Sequence, residues 1–183
     1  MEEMEDHRTQ FDFFRGLFAH LSALRDDTLP GAVVIHEIPS LKKPFSQCKI
    51  WSLEPPGPTK EYFIDKPTDL VVFLSYDSNI PVLEIDLCSL TAGGDHPAAA
   101  MPRLEFPITG ILEKVYCYLT GDHLIVLLDG ESPDDSNDIV VWDWLSGRQA
   151  VHTRAEGRDF LAFVLPNILV IPSSLSKPDE DLN

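Results

Sequence analysis

The stretch Asp138-Ile139-Val140-Val141-Trp142-Asp143-Trp144-Leu145-Ser146-Gly147 constrains the fold more than any other part of the 183-residue chain. It is an apolar, β-branched strand that runs into Trp-Asp-Trp and stops at a Ser-Gly turn. Side chains alternate across a strand, so Trp142 and Trp144 share a face and are expected to be buried together. Asp143 stands where the strand ends, a position from which a carboxylate fixes a turn. The role expected of Trp142 and Asp143 is therefore architectural.

Other segments beyond Ala32 have the same β character: Ala32–Ile38, Cys48–Leu53, Tyr62–Asp65, Leu70–Ser75, Val82–Leu87 and Leu104–Pro107. Val115–Leu119, His123–Leu128, Ile139–Trp144, Gln149–Thr153, Phe160–Val164 and Ile168–Ile171 follow. Short strands with turn residues between them indicate an all-β sandwich, barrel or propeller. An internal repeat selects the propeller. In the first unit, Thr68–Ser75 is followed by a turn and Val82–Ser89; in the second, Gly121–Leu128 is followed by a longer turn and Ile139–Ser146. Aligning Ile85-Asp86-Leu87 with Trp142-Asp143-Trp144 sets the units 57 residues apart (142 − 85). That exceeds a WD blade of about 40–45 residues, and the Ala-, Gly- and Pro-rich insertion Thr91–Pro102 can hold the excess. Asp159–Val170 begins a third, partial unit, and Trp51-Ser52-Leu53 ends an earlier one.

The first 31 residues read differently. Phe11, Phe14, Leu17, Phe18, Leu21 and Leu24 recur at spacings of three and four, which predicts an amphipathic helix over Thr9–Arg25. Thr9 and Asp12 give its start, and Asp26–Gly31 its stop. Such a helix would cover a sheet edge or dock on a partner. The expected organisation is an acidic segment and helix over 1–31, an all-β domain over 32–174, and a disordered acidic tail over 175–183. The β domain would be an incomplete propeller of two to three propeller-like, WD-like antiparallel blades, too few to close a ring, which takes at least about four.

The succession Trp51-Ser52-Leu53, Asp69-Leu70-Val71-Val72, Ile85-Asp86-Leu87, Asp122-His123-Leu124-Ile125-Val126 and Val140–Gly147 resembles the WD-like region of fungal F-box proteins, as found in mushroom-forming species. The resemblance covers Lys49 to Ser174. It implies a propeller-like β domain that recognises substrates for a ubiquitin ligase. This sequence departs from the family pattern at its start, where no Leu-Pro-x-Glu-type F-box opening stands.

Charge narrows the partners. The balance of 30 Asp and Glu against 14 Lys and Arg gives a net charge of −16, which opposes binding to nucleic acid or to anionic membranes. An acidic start and the absence of any apolar run of about 20 residues lead to the expectation of an intracellular protein. A protein partner remains.

No residues are expected to be catalytic, to bind a cofactor or to hold a metal. Cys48, Cys88 and Cys117 lack Cys-x-x-Cys spacing and read as free thiols. The acidic hairpin Asp129–Asp138 lacks the order of a calcium loop and reads as a solvated tip. His7, His20, His36, His96, His123 and His152 are scattered. Asp122 and His123 are neighbours on a strand and so point to opposite faces. Gly93-Gly94 lacks the context of a phosphate loop. The function expected is a non-catalytic protein–protein interaction module, with recognition on the Thr91–Pro102 and Asp129–Asp138 loops. Self-association through exposed strand edges is a further expectation. The rival is a hydrolase or other enzyme on a β-propeller scaffold.

Overall fold

A computed structural model describes residues 11–22, 31–40, 44, 47–77, 80–130, 137–155, 162–165 and 168–170. They form fourteen strands and, among the described residues, no α-helix. The first sheet comprises β1 (Phe11–Phe14), β2 (Leu17–Leu21), β3 (Val33–Glu37) and β4 (Ile50–Leu53). The second comprises β5 (Glu61–Asp65), β6 (Leu70–Asp77), β7 (Ile80–Ser89) and β8 (Arg103–Pro107). The third comprises β9 (Leu112–Thr120), β10 (His123–Gly130), β11 (Asn137–Asp143) and β12 (Arg148–Ala155). A hairpin follows, β13 (Ala162–Leu165) with β14 (Ile168–Val170). Every sheet is an antiparallel meander in which each strand pairs only with its neighbours in sequence. No helix among the described residues is long and apolar enough to cross a membrane.

The all-β expectation holds, and the N-terminal helix does not. Residues 11–21 form the β1–β2 hairpin, with Phe14 opposite Leu17 across the two-residue turn Arg15-Gly16. Both turn residues have positive φ, 37° and 84°, the left-handed geometry that matches the twist of tight hairpins. The working period is two. Leu17 and Ala19 face inward and are fully buried, while Phe13 is exposed. The Phe and Leu spacings of three and four come from two alternating strands read across a turn. The remainder of the predicted helix, including its Asp26–Pro30 stop, lies outside the described residues, as does the 175–183 tail.

The meanders repeat. The carbonyl of Gly16 accepts from the Ile38 N–H at 2.8 Å, that of Asp69 from Leu90 at 2.7 Å, and that of Asp122 from Trp144 at 3.1 Å. Each bond crosses from the start of the sheet's second strand to the end of its third. The acceptors are 53 residues apart (69 − 16 and 122 − 69). In this register Cys88, which faces Val71, is the counterpart of Trp142, which faces Leu124. The sequence alignment of Ile85 with Trp142 was therefore slipped by three positions. Ile85-Asp86-Leu87 offers the same apolar–Asp–apolar pattern as Trp142-Asp143-Trp144, so three residues leave the phase of the repeat open. Trp51-Ser52-Leu53 does end a unit, as the fourth strand of the first sheet.

The chain divides into two compact units, one through Pro107 and one from Ile108. In the first, Leu17, Ala19, Val33, Ile35 and Leu53 of the first sheet pack on Tyr62, Ile64, Val71, Phe73, Cys88 and Leu90 of the second. Each fully buried aliphatic or aromatic side chain stabilises by about 1.5–3 kcal/mol. Trp51 joins at the edge, and its Nε1 donates to the Leu90 carbonyl at 2.9 Å. The other face of the second sheet is buried too, through Leu70, Val72, Leu74, Leu83, Ile85 and Leu87. That accounts for the unbroken apolar run Leu70–Leu74, since a strand covered on both sides has no reason to alternate. In the second unit, Ile125, Ile139 and Val141 form a core against Leu127, and Leu124, Val126, Val140 and Trp142 are buried on the opposite face.

Candidate interaction surface

Beyond β7 the chain makes a long excursion before returning as β8, and the residues holding it are concentrated around Asp69. The preceding turn starts at Asp65, whose Oδ2 accepts from the Thr68 N–H at 3.2 Å and from Thr68 Oγ1 at 2.8 Å. Pro67 suits the first turn of the short 3-10 helix over Lys66–Thr68. Asp69 closes it with φ of 59°, a left-handed geometry that aspartate tolerates better than most residues. This conformation directs the carboxylate at the excursion. Its Oδ2 accepts from Ser89 Oγ at 2.7 Å and Thr91 Oγ1 at 3.1 Å, and its Oδ1 from the Thr91 N–H at 3.1 Å.

The excursion then folds back on β7. Ser89 Oγ accepts from the Ala92 N–H at 3.0 Å. The Ser89 carbonyl takes the Gly93 N–H at 3.0 Å, and its own N–H donates to Gly94 at 2.9 Å. Gly93 and Gly94 both have positive φ, 71° and 65°, so the glycine pair is a backbone device for this reversal. His96 is buried beneath it. Its Nδ1 accepts from the Ala98 N–H at 3.2 Å, which places the ring proton on Nε2 for donation to the Thr68 carbonyl at 3.0 Å. The Leu87 N–H reaches Pro102 at 2.7 Å. Thr91–Pro102 is thus tied to β7 along its length. Outward it presents Pro97, Ala98, Ala100 and Met101, the last 49% exposed, bordered by the exposed Thr91 and Asp95. A tethered loop with a small apolar crest binds at low ordering cost.

Burial raises the Cys88 thiol to about 11, helped by the nearby Asp86 and Asp95 carboxylates. Arg103 clasps Asp86 through Nε at 2.7 Å and Nη2 at 3.0 Å, with Glu84 at 3.3 Å from Nη1. These groups brace β7 against β8.

The sequence motif occupies the matching place in the third sheet. Trp142 and Trp144 are both buried as expected, and Trp144 Nε1 donates to the Gly121 carbonyl at 3.3 Å. Asp143 Oδ1 accepts from the N–H groups of Leu145 and Ser146, each at 3.2 Å. Hydrogen bonding from Ser146 holds its carboxyl below the ordinary aspartate range. Gly147, at φ of 74°, completes the turn by donating to the Asp143 carbonyl at 2.8 Å. His123 lies opposite Asp143 in the β10–β11 register rather than with Asp122.

Of the acidic hairpin, residues 131–136 lie outside the described residues. Its base is fixed by buried Asp138, whose Oδ1 accepts from His152 Nε2 at 2.8 Å and Arg154 Nε at 3.3 Å. Arg154 Nη2 also donates to Thr109 Oγ1 at 3.2 Å. This hairpin joins the second and third strands of its sheet, whereas Thr91–Pro102 follows the third strand of its own. In the repeat the two loops leave opposite ends of the strands. Among the described residues, no group of three or more His, Cys, Asp and Glu is placed to hold a metal ion. Cys48, Cys88 and Cys117 are free thiols.

Sequence reasoning missed Asp69, Ser89, His96 and the Asp138–His152–Arg154 cluster. Asp138, His152 and Arg154 were reachable in principle, because antiparallel pairing of Asp138 with Arg154 follows from the β11–β12 register. The Asp69 network has no local signal, since its partners are 20 and 22 residues away. No family model matches the chain, and neither the curated proteins nor the solved structures yield a match.

Proposed function

We propose that this chain is a non-catalytic protein-interaction module built from propeller-like blades, acting inside the cell. The observation that carries the reading is the 53-residue recurrence of a four-stranded meander with the same cross-turn hydrogen bond at Gly16, Asp69 and Asp122. Radial repetition of four-stranded meanders is how propellers are made, and such scaffolds bind through the loops between strands. The candidate titratable groups have structural employment: Asp69 and His96 hold the loop, Asp143 the turn, and Asp138 the hairpin base. The Pro97–Met101 crest is the proposed contact surface. With the resemblance to fungal F-box proteins, the proposed role is substrate recognition for a ubiquitin ligase.

Affinity capture from native extract with the wild-type chain and with Met101→Glu tests this. Binding proteins should fall at least about ten-fold with the variant, as for a lost interface anchor, while the melting temperature stays unchanged. A cullin adaptor among the retained proteins would support the ligase role. Turnover of generic ester, phosphate or glycoside substrates that His123→Ala abolishes would overturn the reading in favour of an enzyme.

A further inference from the structure

The last strand of each meander is an outer edge. Among the described strands, β4, β8 and β12 each pair on one side only. Such an edge offers unpaired N–H and C=O groups to any passing strand, and proteins blunt it with short strands, proline or charge. β4 has four residues and runs on into Pro55-Pro56. β8 has five and ends on Pro107. β12 has eight, Arg-Gln-Ala-Val-His-Thr-Arg-Ala, with no proline and no glycine. The β11–β12 register shifts between Val141 and Trp142, which leaves Ala150 unopposed. Beyond that bulge Val151 to Ala155 stand in unbroken register with Val141 to Asn137. Val151 is 47% exposed, and His152 and Arg154 are exposed as well.

The charges along the two longer edges are reversed. Glu84 and Asp138 hold the same place in the repeat, each four residues before its counterpart Cys88 or Trp142 (88 − 84 and 142 − 138). Their cross-strand partners are Glu105 and Arg154. On β8, Glu84, Asp86 and Glu105 outnumber the single cation Arg103, so that edge repels an acidic strand. On β12 the buried Asp138 faces two basic side chains, His152 at 2.8 Å and Arg154 at 3.3 Å. Arg154 donates from Nε to Asp138 and from Nη2 to Thr109, and its Nη1 has no acceptor among the described residues. β12 carries no acidic residue of its own in a chain of net charge −16. Alternation sets His152 and Arg154 on one face of the strand and Val151 and Thr153 on the other.

We propose that β12 is a strand-addition site whose occupant is an extended segment of a partner protein in which acidic and apolar residues alternate. Main-chain bonds to the free side of Val151–Ala155 supply affinity, and side chains at every second position supply specificity. Acidic residues opposite His152 and Arg154 complement the basic row and give Arg154 Nη1 an acceptor. Apolar residues opposite Val151 and Thr153 cover the exposed valine. A second copy of β12 is the poorer occupant. It brings bases against bases and a second body of charge −16. The site rests on neither the propeller reading nor the Met101 crest.

The test is fluorescence anisotropy of the full 183-residue chain with short labelled peptides, one alternating Glu and Val and one alternating Lys and Val. Ionic strength is held at about 0.15 M, where the screening length is about 8 Å. The acidic peptide should bind at least about ten-fold more tightly, since like charges across a strand pair destabilise it. Two further acidic peptides carry backbone N-methyl groups on every second residue, in opposite phases. Successive N–H groups of a strand point to opposite sides, so one phase should abolish binding and the other should retain most of it. Arg154→Gln should weaken the acidic peptide about two- to five-fold, the loss of an exposed ion pair. The methylated pair keeps the test independent of how that variant folds. Equal affinity for the acidic and basic peptides, or no binding of the acidic one, would overturn the proposal. Two methylated peptides that behave alike would also overturn it, because charge attraction alone has no phase. Unchanged peptide binding by Met101→Glu would support it and separate this edge from the crest.

Discussion

Asp69 shows how one side chain can fix the shape of a loop far from it in sequence. Its left-handed backbone presents the carboxylate, and Ser89 and Thr91 together donate three hydrogen bonds to it. Bonds to a charged acceptor stabilise by about 1.5–3 kcal/mol when well sheltered, and less where solvent competes. Asp69→Ala removes all three and places a Cβ-bearing residue at positive φ without local help. We predict a loss of about 2–3 kcal/mol in urea denaturation. Asp69→Asn keeps one acceptor oxygen and the tolerance for left-handed geometry, so its loss should be less than half of that. Equal losses would mean the carboxylate bonds contribute little. At this scale the sequence was informative about Trp142 and Trp144, because strand alternation alone puts them on one face. It was silent about Asp69 and His96, because their partners appear only once Thr91–Pro102 has folded back on β7.

Elements were legible where composition was unambiguous. Nearly every predicted strand beyond Ala32 has a counterpart among the described residues, because β-branched runs between turn residues leave few alternatives. The first hairpin lacks a local signature for a physical reason. Arg-Gly is an uncommon sequence for a turn with two positive φ values, so nothing local announced a reversal between Phe14 and Leu17. The same point yields a prediction. Arg15 sits at φ of 37°, and asparagine adopts this region more readily. Arg15→Asn should stabilise by about 0.5–1 kcal/mol, the size of other changes that relieve backbone conformation. Gly16→Ala should cost about 1 kcal/mol at φ of 84°, although the added Cβ meets nothing within 4 Å. Chemical denaturation of both variants checks the pair. If the two changes have the same sign, the turn geometry is wrong.

For the whole molecule, charge acts on stability more than on shape. A net charge of −16 on 183 residues makes the folded state repel itself, and an expanded chain relieves that repulsion. Salt screens it, with a Debye length falling from about 30 Å at 0.01 M to about 8 Å at 0.15 M. The melting temperature, measured by calorimetry at fixed protein concentration, should therefore rise over that range. A fall would show that favourable pairs such as Arg103–Asp86 outweigh the global term. The order of pairing has a separate consequence during synthesis. No ladder among the described residues reaches beyond the meander that contains it. At about 5–20 residues per second, a ribosome takes roughly 3–10 s to deliver one 53-residue period, while a hairpin closes in about 1–10 μs. Each sheet can complete its hydrogen bonds while the next is still being translated, so the nascent chain never has to wait for a distant strand.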